Sequence, residues 1–259
     1  MTDLGTSFGA AASDYGAFRA GFPDSLFGRL SVYAIGAPDQ TVVDLGTGTG
    51  TLARGFALRG CRVIGLDPDE RMLAKARELT EQKGLTVEYV NARAEATRLE
   101  GSIADVVVAG QCWHWFDRRL AVAEAIRILK PDGKLVIAHF DWLPLAGSMV
   151  EATEALIQKH NSRWHLGGGL GMYPQWLPDL SEAGLRSIET FSYDVDVPYT
   201  PEAWRGRIRA SAGVAALKPE EVRLFDEELR ALLAVRFPAD VIAVPHRVFA
   251  IVADAGSGG

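Results

Sequence analysis

Short apolar segments alternate with helix-period segments between about residues 40 and 140, and this rhythm constrains the fold more than any other feature of the sequence. The strand-like segments lie at residues 41–45, 62–66, 86–90, 105–109 and 135–140, and residues 130–133 between the last two have the composition of a turn. Strands separated by helices pair in parallel through right-handed crossovers, which place helices on both faces of a sheet. The pattern therefore predicts an α/β fold with a doubly wound, mostly parallel sheet.

The rhythm breaks after residue 141. Helices are predicted at 145–160, 202–211 and 220–237, strands at 187–197 and 246–253, and a segment rich in glycine and aromatic residues lies at 164–176. We interpret residues 1–259 as a single domain. Residues 1–30 are interpreted as an N-terminal lid, and residues 142–180 and 200–240 as substrate-cap segments that form a helical lid over the carboxyl edge of the sheet.

A glycine-rich motif, VVDLGTGTG at residues 42–50, follows the first strand. Its glycines are spaced G-x-G-x-G, and position 51 is threonine, so the dinucleotide fingerprint G-x-G-x-x-G fails. The motif favours a ligand without a phosphate, whose amino-acid tail lies along the loop. Asp44 is then placed to organise the ammonium group of that tail, directly or through water. The alternative is a tight turn between strand and helix with no ligand.

An acidic residue, Asp67, ends the second strand about 20 residues after the first glycine of the motif. A carboxylate at this place accepts hydrogen bonds from both ribose hydroxyls and repels a 2′-phosphate. The sequence therefore predicts a ligand that contains ribose but is not NADP.

Three motifs resemble those of class I (Rossmann-like) S-adenosylmethionine-dependent methyltransferases, and they read VVDLGTGTG (42–50), VIGLDPDERMLAKA (63–76) and LKPDGKLVIA (129–138). Three further stretches resemble the subgroup that includes trans-aconitate methyltransferase-like enzymes: FGAAASDYGAFRAGFP (8–23), GQCWHWFD (110–117) and HRVFAIVAD (246–254). The resemblance implies a seven-stranded sheet whose last strand is antiparallel. It also implies S-adenosylmethionine as cofactor and S-adenosylhomocysteine as product.

The resemblance further implies which residues contact the cofactor. The positions that match the family's contacts are Gly46, Thr47, Gly48, Asp67, Pro68, Met72, Ala94, Glu95 and Gln111. Tyr15 and Arg19 fall where the family has its N-terminal lid. There Tyr15 would cover the methionine portion of the cofactor, and Arg19 would pair with its carboxylate.

The loop after the fourth strand, residues 111–116, is expected to face the transferred methyl group. Methyltransferases that act on planar amines carry an Asn/Asp-Pro-Pro-aromatic motif there, whereas this loop reads QCWHWF, which disfavours nucleobase-amine and glutamine acceptors. His114 is the candidate base or substrate donor, because its ordinary pKa lies near neutrality. The alternative is a hydrogen-bonded histidine packed between Trp113 and Trp115. Asp141, at the end of the fifth strand, is the second catalytic candidate.

Arginines in the second cap segment suggest how an acceptor is held. Arg205 and Arg209 lie four residues apart on one face of a predicted helix, and Arg207 lies off that face. We interpret the pair as a clamp for an acceptor carboxylate, with a solvated basic face as the alternative. Trp113, Trp115 and Trp164 are the predicted aromatic walls of the acceptor site.

Charge and composition narrow the choice of partners. The formal net charge is −6 without a long lysine or arginine run, which disfavours nucleic acid. No segment approaches the ~20 apolar residues of a bilayer span, and the N-terminus does not read as a signal peptide, so we expect a cytoplasmic monomer or homodimer. The cysteines, Cys61 and Cys112, have no metal-ligand spacing and are expected to be buried thiols.

Four functions are weighed against each other. The leading one is methyl transfer to a small-molecule acceptor at oxygen, either a carboxylate or a hydroxyl. The second is a methyltransferase-fold protein that binds S-adenosylmethionine and regulates or catalyses without methyl transfer. An NAD-dependent oxidoreductase is disfavoured by the glycine spacing, and an RNA methyltransferase by the acidic charge.

Overall fold

The computed structural model describes residues 21–256, and these divide into two compact units. The first unit contains residues 21–139, 173–192 and 248–256, and the second contains residues 140–172 and 193–247. In the described part of the chain the strands are β1 (Thr41–Leu45), β2 (Arg62–Asp67), β3 (Glu88–Asn91), β4 (Ala104–Gly110), β5 (Leu129–Trp142), β6 (Arg186–Tyr199) and β7 (Ile242–Asp254).

Helices α1 to α9 follow the order of the chain from residue 21. They are α1 (Asp24–Leu30), α2 (Thr51–Ala57), α3 (Glu70–Glu81), α4 (Arg118–Ile128), α5 (Met149–His160), α6 (Leu177–Glu182), α7 (Pro201–Arg209), α8 (Ala212–Ala215) and α9 (Pro219–Arg236). Short 3₁₀ turns lie at Ser31–Tyr33, Trp113–Trp115 and Pro174–Trp176. Within residues 21–256, none of the helices has both the length and the apolar character needed to cross a bilayer.

The strands form one seven-stranded sheet in the order β3-β2-β1-β4-β5-β7-β6. The pairs β1–β2, β1–β4, β2–β3 and β4–β5 are parallel. Strand β7 runs antiparallel to β5, because Ala255 N donates to Gly133 O whereas Leu143 N donates to Pro245 O, so partner numbers run in opposite directions. The predicted fold class, a doubly wound and mostly parallel sheet with an antiparallel last strand, is confirmed.

Strand β5 differs from its predicted extent, because it begins at Leu129 and includes the predicted turn at residues 130–133. The register explains the difference. Ala104 pairs with Leu129 and Val106 pairs with Lys134, so the extra residues of β5 bulge out of the ladder. Asp132 has a φ of 62°, in the left-handed region that such a bulge needs. Turn-forming residues here interrupt the pairing without ending the strand.

Each unit has its own apolar core. In the first unit, inward residues of β1, β4 and β5 pack against the buried face of α4, and Val107, Ile137 and Ile128 are fully buried. A strand buried on both faces reads as a continuous apolar run, which is how β4 reads in the sequence. In the second unit, α5, α7 and α9 pack around Trp204 and Phe225.

The bounds of the predicted lid and cap segments do not coincide with the bounds of the two units. Residues 21–30 belong to the first unit, where α1 packs on α2 through an edge-to-face pair of Phe27 and Phe56 with ring centroids 5.1 Å apart. Residues 173–180 of the predicted cap also belong to the first unit. The reason is aromatic stacking, since Tyr173 and Trp176 pack against His139 with centroids 4.3 and 4.9 Å away. The position of the lid over the sheet edge stays a prediction.

Candidate active site

The glycine loop connects β1 to α2 in the first unit, and its glycines adopt left-handed backbone. Gly46, Gly48 and Gly50 have φ values of 64°, 56° and 79°. Hydrogen bonds hold the loop: Thr47 N donates to Leu66 O over 2.8 Å, and Gly50 N donates to Thr47 O over 2.9 Å. Positive φ costs glycine little, so these positions allow the chain to turn sharply between strand and helix.

Gly46 and Gly48 differ in the space beside them. A Cβ on Gly46 would lie 2.9 Å from the sulfur of Cys112 and 3.0 Å from the ring of Phe116. Among the described residues, a Cβ on Gly48 would meet only the methyl group of Met72, at 3.5 Å. The loop is therefore packed against the protein at Gly46 and open at Gly48, as close approach of a ligand to the backbone requires.

Asp44 lies beneath the loop and is 1% exposed. Its Oδ2 accepts a hydrogen bond of 2.6 Å from Thr47 Oγ1. Burial raises the pKa of this carboxyl group to about 7. Asp44 is therefore buried below the loop and bonded to Thr47, and its role toward a ligand stays a prediction.

Asp67 faces the loop from the end of β2. Its Oδ2 accepts from Gly48 N over 3.0 Å, and its Oδ1 accepts from Asp69 N over 2.9 Å. A carboxylate has about four lone-pair sites, so each oxygen retains the capacity to accept another hydrogen bond. The side chain is partly exposed, and its pKa is raised by burial. Asp67 and the open face at Gly48 are thus adjacent, as a ribose with an attached amino-acid tail needs.

Other predicted cofactor contacts surround these two residues. Met72 is 6% exposed on α3, and Pro68 is exposed just before that helix. Asn91 Nδ2 donates to Pro68 O over 3.1 Å, which joins the ends of β2 and β3. Asn91 was not among the predicted cofactor contacts, although its position at the end of a strand was a usable signal.

The segment after β3 is tied to the loop after β4. Ala94 is 4% exposed, and Glu95 Oε1 accepts a 2.9 Å hydrogen bond from Asp117 N. Glu95 Oε2 also lies 3.4 Å from Arg93 Nε. Glu95 therefore holds two loops together, in addition to any role toward the adenine.

The predicted site residues in the loop after β4 differ in exposure, because His114 and Trp115 are exposed whereas Trp113 is buried. Gln111 has a φ of 59°, and its N donates to Ala138 O over 2.9 Å. His114 is exposed, and its ring lies 4.6 Å from that of Trp115 and 5.6 Å from that of His139. Trp115 is 39% exposed. His114 is thus exposed and contacts Trp115, and its role as a base or substrate donor stays a prediction.

Trp113 requires a correction. It was predicted to wall the acceptor site, but it is fully buried in the core of the first unit. Its indole N–H donates to Asp179 Oδ2 over 3.2 Å, which satisfies the polar atom inside the core. Cys112 beside it is also buried and donates to Leu45 O over 3.1 Å, and both cysteines are free thiols.

In the second unit, Arg205 and Arg209 are already paired with carboxylates of the chain. Asp226 on α9 accepts from Arg205 Nε over 3.1 Å and from Arg209 Nη1 over 2.9 Å. Glu202 pairs with Arg205 over 2.6 Å. These ion pairs join α7 to α9, so they disfavour the predicted clamp on an acceptor carboxylate. The helix-face pattern was correct, but a neighbouring helix supplies the anion.

The remaining second-unit candidates are Asp141 and Trp164. Burial lowers the pKa of both Arg207 and His246, and the nearby charge of Asp141 opposes that shift in each. Trp164 is 9% exposed and lines a cavity of about 570 Å³, together with Glu154 and Arg247. Tyr15 and Arg19 lie outside the described residues.

Comparison with known proteins gives a family match for the region of the first unit that contains the glycine loop. Residues 43–137 match the family described as a methyltransferase domain. An uncharacterised methyltransferase of Mycobacterium tuberculosis is 35% identical over 133 residues, which are 51% of this chain and 51% of the relative. The chain thus spans about half the length of the curated relatives it matches.

Two solved structures resemble the whole chain. One is a phosphoethanolamine N-methyltransferase 2 of Haemonchus contortus in complex with phosphomonomethylethanolamine and S-adenosylhomocysteine (TM-score 0.59, 21% identity, 96% of this chain and 57% of that one). The other is the [4+2]-cyclase SpnF (TM-score 0.55, 19% identity, 93% of this chain and 84% of that one). At these identities the likeness shows the fold alone.

The matched region contains the glycine loop, Asp67 and the loop after β4, on the sheet that this fold requires. S-adenosylmethionine is the cofactor of the family, and the open face at Gly48 beside a carboxylate fits it. The narrower resemblance to trans-aconitate methyltransferase-like enzymes stays a prediction. Residues 43–137 thus match the methyltransferase domain family, on a sheet with the fold of class I S-adenosylmethionine-dependent methyltransferases.

Proposed function

We propose that this chain transfers a methyl group from S-adenosylmethionine to a small-molecule acceptor, at an oxygen of a carboxylate or hydroxyl group. The observation that carries this proposal is the pairing of Gly48 with Asp67. A ligand has room against the backbone at Gly48, and the Asp67 carboxylate beside it can accept hydrogen bonds from ribose hydroxyls.

The charges around the loop favour this cofactor over a nucleotide with phosphates. Asp44 and Asp67 both flank the loop, and the nearby cation Arg54 donates to Thr49 O of the loop and acts on Asp44 through its charge. Two carboxylates repel phosphate groups and attract the ammonium of an amino-acid tail. The same loop therefore disfavours NAD and NADP.

The bound cofactor would supply a methyl group that is already activated on a sulfonium. The chain then has to position the acceptor and exclude water. His114 is exposed beside Trp115 and is available to an acceptor. It would remove a proton from a hydroxyl acceptor, whereas it would only orient a carboxylate, which is already a nucleophile.

A small acceptor is favoured over a nucleic acid by the acidic balance of the chain. The net charge of −6 opposes the phosphate contacts that dominate nucleic-acid affinity. The sequence QCWHWF in the loop after β4 also differs from the motif of enzymes that methylate planar amines. Both features support an oxygen acceptor in a small molecule.

The test uses S-adenosylmethionine labelled with a trideuteromethyl group and fractionated metabolite extracts. We expect S-adenosylhomocysteine release and one product that carries the label, detected by mass spectrometry. The matched variant Gly48→Val should abolish both signals. Tight S-adenosylmethionine binding without a labelled product in any fraction would reject methyl transfer. That result would favour the second function, non-methylating catalysis, for which the cyclase SpnF shows that the fold is suitable.

A further inference from the structure

Arg207 lies in an aromatic enclosure of the second unit. Its guanidinium carbon is 4.7 Å from the centre of the Trp142 ring, and the Tyr199 side chain lies beside it. Hydrogen bonds fix the enclosure: Trp142 Nε1 donates to Glu154 Oε1 over 2.7 Å, and Trp204 Nε1 donates to Thr153 Oγ1 over 3.0 Å. The Trp204 ring packs edge-to-face against both Trp142 and Tyr199, with centroids 5.5 and 5.2 Å away. These walls are therefore positioned before any ligand arrives.

The charge of Arg207 has no close counterion among residues 21–256. No carboxylate oxygen in that range lies within the 4.0 Å of an ion pair with it, in contrast to Arg205 and Arg209 on the same helix. Asp141 acts on it only as a nearby charge. Burial lowers the pKa of the guanidinium, yet the residue retains partial exposure. A cation that is surrounded by protein and still reached by solvent lies in a concave site.

The other titratable groups that face Arg207 do not neutralise it. Tyr199 is an un-ionised phenol at neutral pH. His246 stacks on Tyr199 with centroids 6.0 Å apart, and burial lowers its pKa to about 4, so it is neutral. Within residues 21–256, Asp141 is the carboxylate whose charge acts on Arg207, and Asp196 acts on His246 beside it. A buried cation without a bonded anion is costly, and a bound anion would offset part of that cost.

We propose that Arg207 binds a carboxylate group of the acceptor, with Trp142 and Tyr199 as walls of the site. This proposal rests on the proposed function, since it assigns the acceptor's chemical class. The planar guanidinium matches a carboxylate in two parallel hydrogen bonds, and the aromatic walls suit an apolar body attached to it. The carboxylate is recognised by Arg207, which lies off the face shared by Arg205 and Arg209.

Arginine side-chain NMR of the full chain tests the proposal without any turnover. The protein is labelled with ¹⁵N-arginine, and the Nε–Hε signal of Arg207 is assigned by its loss in Arg207→Lys. The probes are acetate, succinate and 3-phenylpropanoate, each compared with its neutral amide. We expect at least one carboxylate to shift the Arg207 signal saturably, with no shift from its amide and none at Arg205.

Three variants separate carboxylate binding from structural support. Arg207→Lys keeps the positive charge but loses the two parallel N–H donors of the guanidinium, so carboxylate affinity should fall at least tenfold. Circular dichroism should show that the variant is still folded. Arg205→Lys is the matched control on the same helix, and its affinity should stay within about twofold of the wild type. Asp141→Asn removes the nearby negative charge and should tighten carboxylate binding severalfold.

Three results would overturn the proposal. They are no shift of Arg207 by any carboxylate, equal shifts by acids and amides, or an Arg207→Lys protein that loses thermal stability but keeps its carboxylate affinity. Failure of the proposed function gives a different pattern, in which carboxylates bind at Arg207 but no labelled methyl product forms. Methyl transfer without any carboxylate effect on Arg207 would reject this inference alone.

Discussion

At the scale of single residues, two glycines of the same loop, Gly46 and Gly48, are required for different reasons. Gly46 leaves room for Cys112 and Phe116, so a larger residue there would collide with the protein itself. Gly48 leaves room that no side chain of residues 21–256 except Met72 approaches, so a larger residue there would take the place of the proposed ligand. The motif predicted that both glycines matter, but the sequence could not separate the two roles, because they depend on a loop that follows another strand.

Asp67 provides the residue-scale prediction for binding. Asp67→Ala should weaken S-adenosylhomocysteine binding by about 1–3 kcal/mol, since hydrogen bonds to a charged group are lost. The neighbouring variant Asp69→Ala is the control. Asp69 caps α3 by accepting a hydrogen bond from Arg71 N. Loss of this cap should lower the free energy of unfolding by about 1 kcal/mol and leave the affinity for S-adenosylhomocysteine unchanged. Calorimetric titration of both variants checks this, and equal affinities for Asp67→Ala and wild type would contradict the assignment.

Asp44 provides a pH dependence of binding. Burial raises its pKa to about 7, so the group is mostly neutral at pH 6 and mostly ionised at pH 8. A ligand ammonium favours the ionised form, so affinity for S-adenosylhomocysteine should rise severalfold from pH 6 to pH 8, with release of a proton on binding below pH 7. Calorimetry in buffers of different ionisation enthalpy measures that proton. Asp44→Asn should bind more weakly and without this pH dependence, and a wild type equally tight at both pH values would refute the role.

At the scale of elements, close packing of α1 on α2 depends on a helical glycine. A Cβ on Gly55 of α2 would lie 2.0 Å from the ring of Phe27, whereas a Cβ on Gly28 of α1 would meet no atom within 4 Å. Alanine favours helices by about 1 kcal/mol over glycine. Gly28→Ala should therefore be neutral or stabilising by up to about 1 kcal/mol.

Gly55→Ala should instead lower the free energy of unfolding by about 1–3 kcal/mol, because overpacking outweighs the gain in helix propensity. Denaturant unfolding of both variants gives the comparison. Stabilisation by both substitutions would show that α1 does not pack on α2 as described.

At the scale of elements, a strand or helix could be predicted where its hydrophobic pattern in the sequence matches its burial in the structure. Strand β4 is a continuous apolar run because it is buried on both faces, and its predicted and observed bounds differ by one residue at each end. The partners of α7 were not predictable, because Asp226 lies on α9 and no periodicity links the two helices. Trp113 was misjudged for a similar reason, since the acceptor of its indole N–H lies far away in sequence at Asp179.

At the scale of the whole molecule, the two units differ in how directly the sequence reports them. The first unit contains the strand–helix alternation, whose repeat predicts parallel pairing even between strands as far apart as β1 and β4, so its fold could be predicted. The second unit combines residues 140–172 with residues 193–247. The aromatic enclosure of Arg207 depends on contacts between those two segments. The spacing of residues along one helix does not predict such contacts.

The central claim is that the glycine loop and Asp67 form a site for S-adenosylmethionine, and calorimetric titration of the full chain tests it most directly. The account predicts saturable binding of S-adenosylhomocysteine and S-adenosylmethionine, no binding of NAD or NADP, and loss of binding in Gly48→Val. Tight binding of NAD together with no binding of S-adenosylmethionine would contradict it.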